Sequence, residues 1–363
     1  MSSTSAHSES CPFFQCEAGC SGEVMESQVN VERQDPTVAG SEEYVRVAAE
    51  SFAATRPRRR GSFIGRCFPH MVHGATWIFV LLISGLFLEL FVNSMPSIRR
   101  FGLSFLWTSE WNPVTEHFGA LPFIFGTVVS SLIAVTLAAW VGILGAAFLA
   151  EFAPGYIATP LGFLIELLAA VPSVVYGLWG LFLFAPAMQH YIEPALQRYL
   201  GFLPIFSGPG YGVGLLTAAL ILAIMIIPTV IALSRDLLQT VPSELREAML
   251  ALGASRWESF KMVVLPYARA GMFGACILAL GRALGETIAT TMVIGNRPAI
   301  SMSLFAPSYT LSSVIANEFT EATTTVYLSA LIELGLVLFL ISVVVNSLAR
   351  LLMRAVFGAV GRK

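Results

Sequence analysis

Residues 234–271 read SRDLLQTVPSELREAMLALGASRWESFKMVVLPYARAG, a charged segment between two strongly apolar ones. Pro242 and Ser243 precede ELREAMLAL, which predicts a helix start where Ser243 caps free backbone N–H groups. Gly253 predicts a helix end or turn, and helical periodicity then resumes as far as Pro266. The segment is therefore predicted to form two short helices, bent at a glycine and held at a membrane surface.

The composition places this segment in an integral membrane protein. Hydrophobic residues make up 56% of the 363 residues and charged residues only 12%, whereas soluble domains carry about 25% charged residues. A membrane span needs about 20 mostly apolar residues. Six stretches meet this requirement: 72–94, 121–150, 160–186, 211–234, 267–296 and 326–352. Their length and the lack of an alternating pattern favour helices over a barrel.

The lysines and arginines predict how the chain is oriented. Of the 21 basic residues, 16 fall before the first span, between spans four and five, or from Arg350 to the end. Only four fall in the segments 95–120, 187–210 and 297–325. Because cytoplasmic loops are enriched in Lys and Arg, both termini and the 234–270 segment are predicted to be cytoplasmic. The expected location is the inner membrane of a bacterial cell.

The ends of the chain differ in composition from the predicted membrane domain, residues 72–352. Residues 1–71 are rich in Ser, Glu and Arg and contain no stretch that fits a signal peptide. They are predicted to form a mostly disordered cytoplasmic tail. Its arginine cluster at 56–60 suits an anionic lipid surface, although a purely topogenic role is an alternative. Residues 353–363 are predicted to be a short cytoplasmic tail.

Three cysteines lie close together in the N-terminal tail, at Cys11, Cys16 and Cys20. Their spacing does not match a zinc ribbon or finger, and disulfides are rare in the cytoplasm. Reduced cysteines without a metal are therefore expected, with a metal site that includes His7 as the alternative. The sequence does not assign a role to this group.

Catalytic and nucleotide-binding motifs are absent from the sequence. The chain has two lysines, Lys261 and Lys363, and neither follows the GxxxxGK[ST] spacing of a phosphate-binding loop. HExxH and GxSxG are also missing. No metal, cofactor or intrinsic ATP hydrolysis is therefore expected in this chain. A partner or an ion gradient must supply the energy for any transport.

The fifth predicted span carries two charges, in GRALGETIATTMVIGN at 281–296. Each of Arg282 and Glu286 costs about 2.5–3.5 kcal/mol at the bilayer centre, so both must face protein, water or substrate. Residues four apart lie on one face of a helix, which predicts that Arg282 and Glu286 pair. Gly281 and Gly285 lie beside them, and small residues at this spacing allow another helix to approach closely.

The segment between spans four and five resembles the EAA signature of ABC importer permeases, in which EAA, three residues, Gly, nine residues and I-x-L-P follow one another. Met249 and Val263 depart from the signature, but both remain apolar. The resemblance implies a coupling helix that docks into a cleft of an ATPase subunit. Five positions are implied to couple the chain to this ATPase: Glu247, Ala248, Gly253, Leu265 and Pro266. Three apolar side chains are predicted to face the partner's groove: Ala248, Leu252 and Trp257.

Four further stretches narrow the resemblance to one type of ABC importer permease. They are LIELLAAVPSVVYGLWGLFLFAP at 164–186, FSGPGYGVGLLTAALILAIMIIP at 206–228, LGRALGETIATTMVIGN at 280–296 and IANEF at 315–319. Across roughly residues 72–352 the chain resembles the phosphate permeases of the PstC type, and the resemblance does not cover the N-terminal tail. It implies an all-α integral membrane fold of six transmembrane helices, in which one helix precedes a MetI-like core of five.

The same resemblance implies partners. They are a second permease subunit of the PstA type, a PstB-type ATPase dimer that binds ATP and Mg, and a PstS-type phosphate-binding protein outside. No nucleic-acid partner is expected.

The resemblance also gives importance to Arg282 and Glu286. A guanidinium offers a fork of donors that fits phosphate oxygens. A neighbouring carboxylate competes for that fork, so the anion is held only transiently, as conduction requires. Thr287, Thr290 and Thr291 are predicted to add hydroxyl donors along this substrate path. The alternative is a buried ion pair that only fixes packing.

Other polar residues of the spans have more than one predicted role. Glu89, Glu166 and Glu333 either line a cavity or lie near a membrane face, and Ser173 and Tyr176 are further candidates for the path. The leading functional interpretation is an importer of inorganic phosphate, with sulfate, molybdate or a phosphonate as alternative substrates. An ion-coupled carrier or channel would need no EAA segment, and a membrane enzyme would need a catalytic constellation. A further alternative is a signalling scaffold, an added role that the long tail would support.

Overall fold

The structure, a computed structural model, describes residues 63–357, and the side chains of residues 68–355. The predictions for Cys11, Cys16, Cys20 and the arginines at 56–60 lie outside the described residues. All regular elements between residues 63 and 357 are helices, and the strand-like pairing there is one isolated antiparallel bridge between Asn112 and His117. The helices are α1 Phe63–Phe101, α2 Ser104–Trp107, α3 Leu121–Phe152, α4 Gly155–Ala169, α5 Ser173–Leu200, α6 Leu215–Gln239, α7 Ser243–Ala251, α8 Arg256–Leu284, α9 Ile288–Val293, α10 Leu311–Glu318 and α11 Thr325–Phe357.

Five of these helices are long and apolar enough to cross a membrane, namely α1, α3, α6, α8 and α11. The pair α4 and α5 passes the same test only if the two are taken together as one bent span. The all-helical class and the count of up to six spans agree with the sequence. The first helix already begins at Phe63, within the stretch predicted as tail, and the last helix continues to Phe357.

The third predicted span, residues 160–186, is not one straight helix. Its two halves, α4 and α5, meet at an angle of 90°. Pro172 causes the break, because proline lacks a backbone N–H and disfavours the helical conformation of the residue before it. Tyr176 stabilises the bend, since its hydroxyl donates to the carbonyl oxygen of Leu168 at 2.9 Å.

The fifth predicted span, residues 267–296, is also not one continuous helix, because it breaks in its C-terminal part. Helix α8 ends at Leu284, and the chain turns through residues 285–287 before the short helix α9 begins. Gly285, which has no side chain to favour the helical backbone, occupies the C-terminal cap position of α8. The break places Glu286 outside the helix that carries Arg282.

Helix α6 lies at the centre of the core, and two thirds of its most apolar window is buried. Its Leu222 and Ile226 belong to the same buried cluster as Ala134 and Ala138 of α3. The small side chains of α3 allow this close packing. At Gly142 of α3 an added Cβ would lie 2.7 Å from a methyl carbon of Val230, so any larger residue would separate the two helices. Helices α3 and α6 thus form the rigid scaffold for α8.

Helix α1 lies at the periphery, because none of the residues in its most apolar window is buried. Its C-terminal part is held more firmly. Ser94 and Ser97 are fully buried there, and Glu333 of α11 is also buried and faces Ser97. Beyond α1, an aromatic cluster that includes Phe105, Phe118 and Tyr327 closes the same end of the molecule. Such a peripheral first helix agrees with the predicted arrangement of one helix before a five-helix core.

Candidate functional site

The candidate site is a cavity of about 940 Å³ between α6, α8 and α11. Arg282 of α8 and Arg350 of α11 both line it. Its neutral polar lining consists of Thr229, Ser342, Asn346 and Ser347, and no Asp or Glu belongs to the lining. A cavity with two guanidinium groups, hydroxyls and an amide, and with no carboxylate, attracts an anion rather than a cation.

Arg282 lies in the last turn of α8, where a positive charge is stabilised by the helix dipole. It is exposed to the cavity in the isolated chain. The neighbouring Gly281 lies against α11, since an added Cβ would be 3.7 Å from Oδ1 of Asn346. Helix α11 thus lies beside Gly281, but a Cβ at this position would make only an ordinary contact, so the approach does not require a glycine. Arg282 also interacts electrostatically with Tyr176, which brings the α4–α5 bend close to the site.

The predicted pair of Arg282 and Glu286 does not form. No ion pair joins these two side chains in the part of the chain that the structure describes. Instead, Oε1 of Glu286 accepts a hydrogen bond from the backbone N–H of Ala289 at 3.3 Å and so caps α9. The prediction assumed an unbroken helix, in which residues four apart face each other. The turn at Gly285 removes that condition.

The three threonines of the predicted path all donate their hydroxyl protons to backbone carbonyls. Thr287 donates to Gly285, Thr290 donates to Glu286 and Thr287, and Thr291 donates to Thr287. Ser312 of α10 also donates to the carbonyl oxygen of Glu286, at 2.7 Å. These bonds stabilise the turn between α8 and α9. In this conformation the hydroxyls offer an anion no free proton.

The coupling segment is exposed, as the sequence predicts. Helix α7 has no buried residue, so Glu247 and Ala248 are on the surface. The side chains of Leu252 and Trp257 are 84% and 58% exposed. The Gly253 backbone has a φ of +86°, which confirms the bend at a position that favours glycine.

The ends of the two short helices differ in detail from the prediction. Ser243 does not cap α7, because Pro242 holds the cap position and no side-chain bond is made there. Instead, Ser255 and Glu258 form a capping box at the start of α8. In this box the Glu258 carboxylate accepts from the backbone N–H of Ser255 at 2.8 Å. At the end of the signature, Leu265 is half-buried and Pro266 is exposed.

Arg246 fixes the position of α7 relative to the core, a role that the sequence did not indicate. Its Nη2 lies 2.8 Å from Oε1 of Glu151 at the end of α3. The same nitrogen donates to the carbonyl oxygen of Leu238, at the end of α6. Helix α7 is thereby attached to two helices of the scaffold.

The remaining candidates do not line the Arg282 cavity. Glu166 of α4 lies 3.8 Å from Nη1 of Arg235, and Glu89 accepts a hydrogen bond from Asn93 at 2.7 Å. Glu333 is buried against α1, and Ser173 begins α5. Within residues 68–355 no group of three His, Cys, Asp or Glu side chains is arranged to hold a metal ion.

An exposed segment between two membrane helices and an open cavity lined by two arginines fit a transport subunit, and comparison with known proteins agrees. Residues 142–358 match the family of binding-protein-dependent transport system inner membrane components. The chain therefore belongs to this family and is a multi-pass inner-membrane protein.

Two curated relatives narrow the comparison. The phosphate transport system permease protein PstC of Mesorhizobium japonicum is 46% identical over 301 residues, which are 82% of this chain and 92% of the relative. The protein of the same name from Pasteurella multocida is 48% identical over 291 residues, 79% of this chain and 91% of the relative. Within the family, the chain thus groups with the PstC permeases.

A solved structure supports the fold. The crystal structure of a bacterial alginate ABC transporter, in complex with its alginate-bound periplasmic protein, contains a chain that superposes with a TM-score of 0.53. The match covers 83% of this chain and 99% of the other, at 12% identity. At this identity the likeness concerns the fold alone, and it agrees with the predicted ABC permease architecture.

Proposed function

We propose that the chain is the permease subunit of an ATP-driven importer of inorganic phosphate. The observation that carries the proposal is the cavity between α6, α8 and α11, in which two arginines face neutral donors without a carboxylate. A guanidinium binds phosphate oxygens through two parallel hydrogen bonds. The named relatives are phosphate transport permeases, which favours phosphate over sulfate, molybdate or a phosphonate.

In this proposal Arg282 is the fixed cation of the translocation path. Glu286 follows it at the turn between α8 and α9, where its carboxylate stabilises the turn and limits how tightly an anion is held. Thr287, Thr290 and Thr291 fix the backbone of that turn through their bonds to carbonyl oxygens. The path is completed by a second permease subunit of the PstA type.

The energy for transport comes from a PstB-type ATPase dimer, which binds ATP and Mg, since this chain has no nucleotide-binding motif of its own. The ATPase docks on the exposed face of α7 through Glu247, Ala248 and the bend at Gly253, with Leu265 and Pro266 at the start of the membrane helix. A PstS-type binding protein delivers phosphate on the opposite side. Both termini and α7 then lie in the cytoplasm.

Transport by the assembled complex tests this function. The chain is reconstituted with the second permease, the ATPase and the binding protein in lipid vesicles, and uptake of labelled inorganic phosphate is measured. We expect uptake to require both ATP and the binding protein, and to be reduced by unlabelled phosphate but not by sulfate or molybdate. An ATPase variant that cannot hydrolyse ATP is the control. Uptake that persists with this variant would show an ion-coupled carrier or channel instead.

A further inference from the structure

Arg350 lines the same cavity as Arg282 but on a different wall, in α11. From sequence alone, Arg350 belongs with the basic residues that orient the chain. The structure places it in the cavity, together with Asn346, one turn before it on α11. Since the Asn346 side chain lies beside Gly281, next to Arg282, the three polar groups follow one another towards the C-terminal end of α11.

The surroundings of Arg350 leave its charge without a counter-ion. No ion pair to Arg350 is formed within the described residues, and no carboxylate lines the cavity. Asn346 uses one amide N–H to donate to the carbonyl oxygen of Ser342, which leaves its second N–H for another acceptor. These groups together suit an oxyanion.

We propose that Arg350 and Asn346 form a second anion site of the translocation path. This site lies beyond Arg282 in the direction of the C-terminal end of α11. Phosphate bound at Arg282 passes to this site before release. The inference rests on the proposed function. It gives a role in phosphate binding to Arg350, which the sequence indicates only as a charge that orients the chain. Two successive sites of moderate strength favour conduction, because an anion bound at a single fixed cation leaves slowly.

Arg354 provides a matched control on the same helix. It lies one turn beyond Arg350, it is also exposed, and it has the same weight in the positive-inside rule. It does not line the cavity. A role in topology or general surface charge therefore predicts equal effects for the two arginines, whereas an anion site predicts an effect for Arg350 alone.

The test uses the complete complex in vesicles and compares Arg350→Gln, Arg350→Lys and Arg354→Gln. We expect Arg350→Gln to reduce the maximal rate of labelled phosphate uptake by about tenfold, in line with the loss of one hydrogen bond to a charged group. The apparent affinity for the phosphate-loaded binding protein should not change. Arg350→Lys should recover part of the rate, and Arg354→Gln should match the unmodified complex. Equal rates for Arg350→Gln and Arg354→Gln would overturn the proposal.

Two further measurements distinguish phosphate binding at Arg350 from binding of a lipid headgroup. The uptake deficit of Arg350→Gln should be the same in vesicles with and without phosphatidylglycerol, and a deficit confined to anionic vesicles would assign Arg350 to a lipid headgroup instead. In a background without the five native cysteines, inorganic phosphate should slow alkylation of Ser347→Cys, which lines the cavity, and absence of protection would count against the site. If the unmodified complex does not transport phosphate, the proposed function itself fails, and not only this inference.

Discussion

Arg282 has an energetic cost in the membrane, and its proposed function is to bind an anion. A guanidinium in a membrane helix is expensive unless it meets protein, water or substrate. The structure provides an open cavity with several polar side chains and the negative end of the α8 dipole instead of a partner carboxylate. The charge is thus stabilised without being neutralised, so that it stays free to bind an anion.

Replacing Arg282 by Gln should lower phosphate uptake about tenfold to a hundredfold. This range corresponds to the 1.5–3 kcal/mol that a hydrogen bond to a charged group contributes. Arg282→Lys should rescue uptake poorly, because an ammonium group lacks the planar fork. Uptake and recovery of the assembled complex are measured together. Arg198→Gln removes an exposed arginine outside the cavity and serves as the control. Normal uptake by Arg282→Gln, or loss of the complex, would contradict the assignment.

Glu286→Gln separates the capping role of this residue from the role of its charge. The glutamine keeps an oxygen that accepts from the Ala289 N–H, so the turn and the assembly of the complex should persist. The negative charge near the path is lost, and we expect slower phosphate release and reduced uptake. Glu286→Ala removes both the cap and the charge and should also reduce assembly. Uptake by Glu286→Gln equal to that of the unmodified complex would show that only the cap matters.

At the scale of the element, the coupling segment combines an exposed face with a firm attachment. Leu252 and Trp257 project from the surface, whereas Arg246 joins α7 to the ends of α3 and α6. The same α6 packs against α3 and α8, and α8 carries Arg282. Helix α7 is therefore linked to the cavity through two packed helices, and this is the route along which the proposed ATPase would act.

Substitutions of Gly253 test the coupling segment, because they strain its backbone. Nothing lies within 4 Å of an added Cβ, so a substitution causes no steric clash. The φ of +86° nevertheless strains any other residue, by about 1–2 kcal/mol for an ordinary L-residue. We expect Gly253→Ala to weaken ATPase retention and phosphate uptake. Gly253→Asn should be milder because asparagine tolerates this conformation. ATPase retention is measured by co-purification, and equal retention by Ala, Asn and Gly would contradict the coupling role.

At the scale of the molecule, the chain provides one side of the path in the proposed transporter. Its cavity is open, and large apolar side chains such as Trp140, Phe163 and Phe182 are exposed on the membrane helices. Lipid and a second permease subunit are the proposed surroundings of these surfaces. The orientation in the membrane then decides which end of the cavity faces the binding protein.

Single cysteines test that orientation in a background without the five native cysteines. Leu252→Cys, at 84% exposure, should react with an impermeant thiol reagent in inverted vesicles and not in intact cells. Tyr199→Cys, which replaces a side chain 75% exposed, should show the opposite pattern. Labelling of Leu252→Cys in intact cells would reverse the proposed topology.

The sequence by itself predicted the all-helical membrane class, five of the six spans as long apolar helices and the bend at Gly253. These follow from local properties: apolar length sets a span, and a residue without a Cβ adopts a positive φ. The EAA spacing also identified the exposed coupling segment. Such features depend on residues that are close together in the sequence, so the sequence pattern alone is sufficient to predict them.

Only the tertiary structure decided how the charged residues are used. The Arg282–Glu286 pair failed because Gly285 ends α8, and the threonines turned to backbone carbonyls that this turn exposes. Arg350 and Asn346 joined the site because α11 packs against α8 at Gly281. A contact between helices that are distant in sequence depends on packing geometry, and the pattern of either helix alone does not determine which residues of the two helices meet.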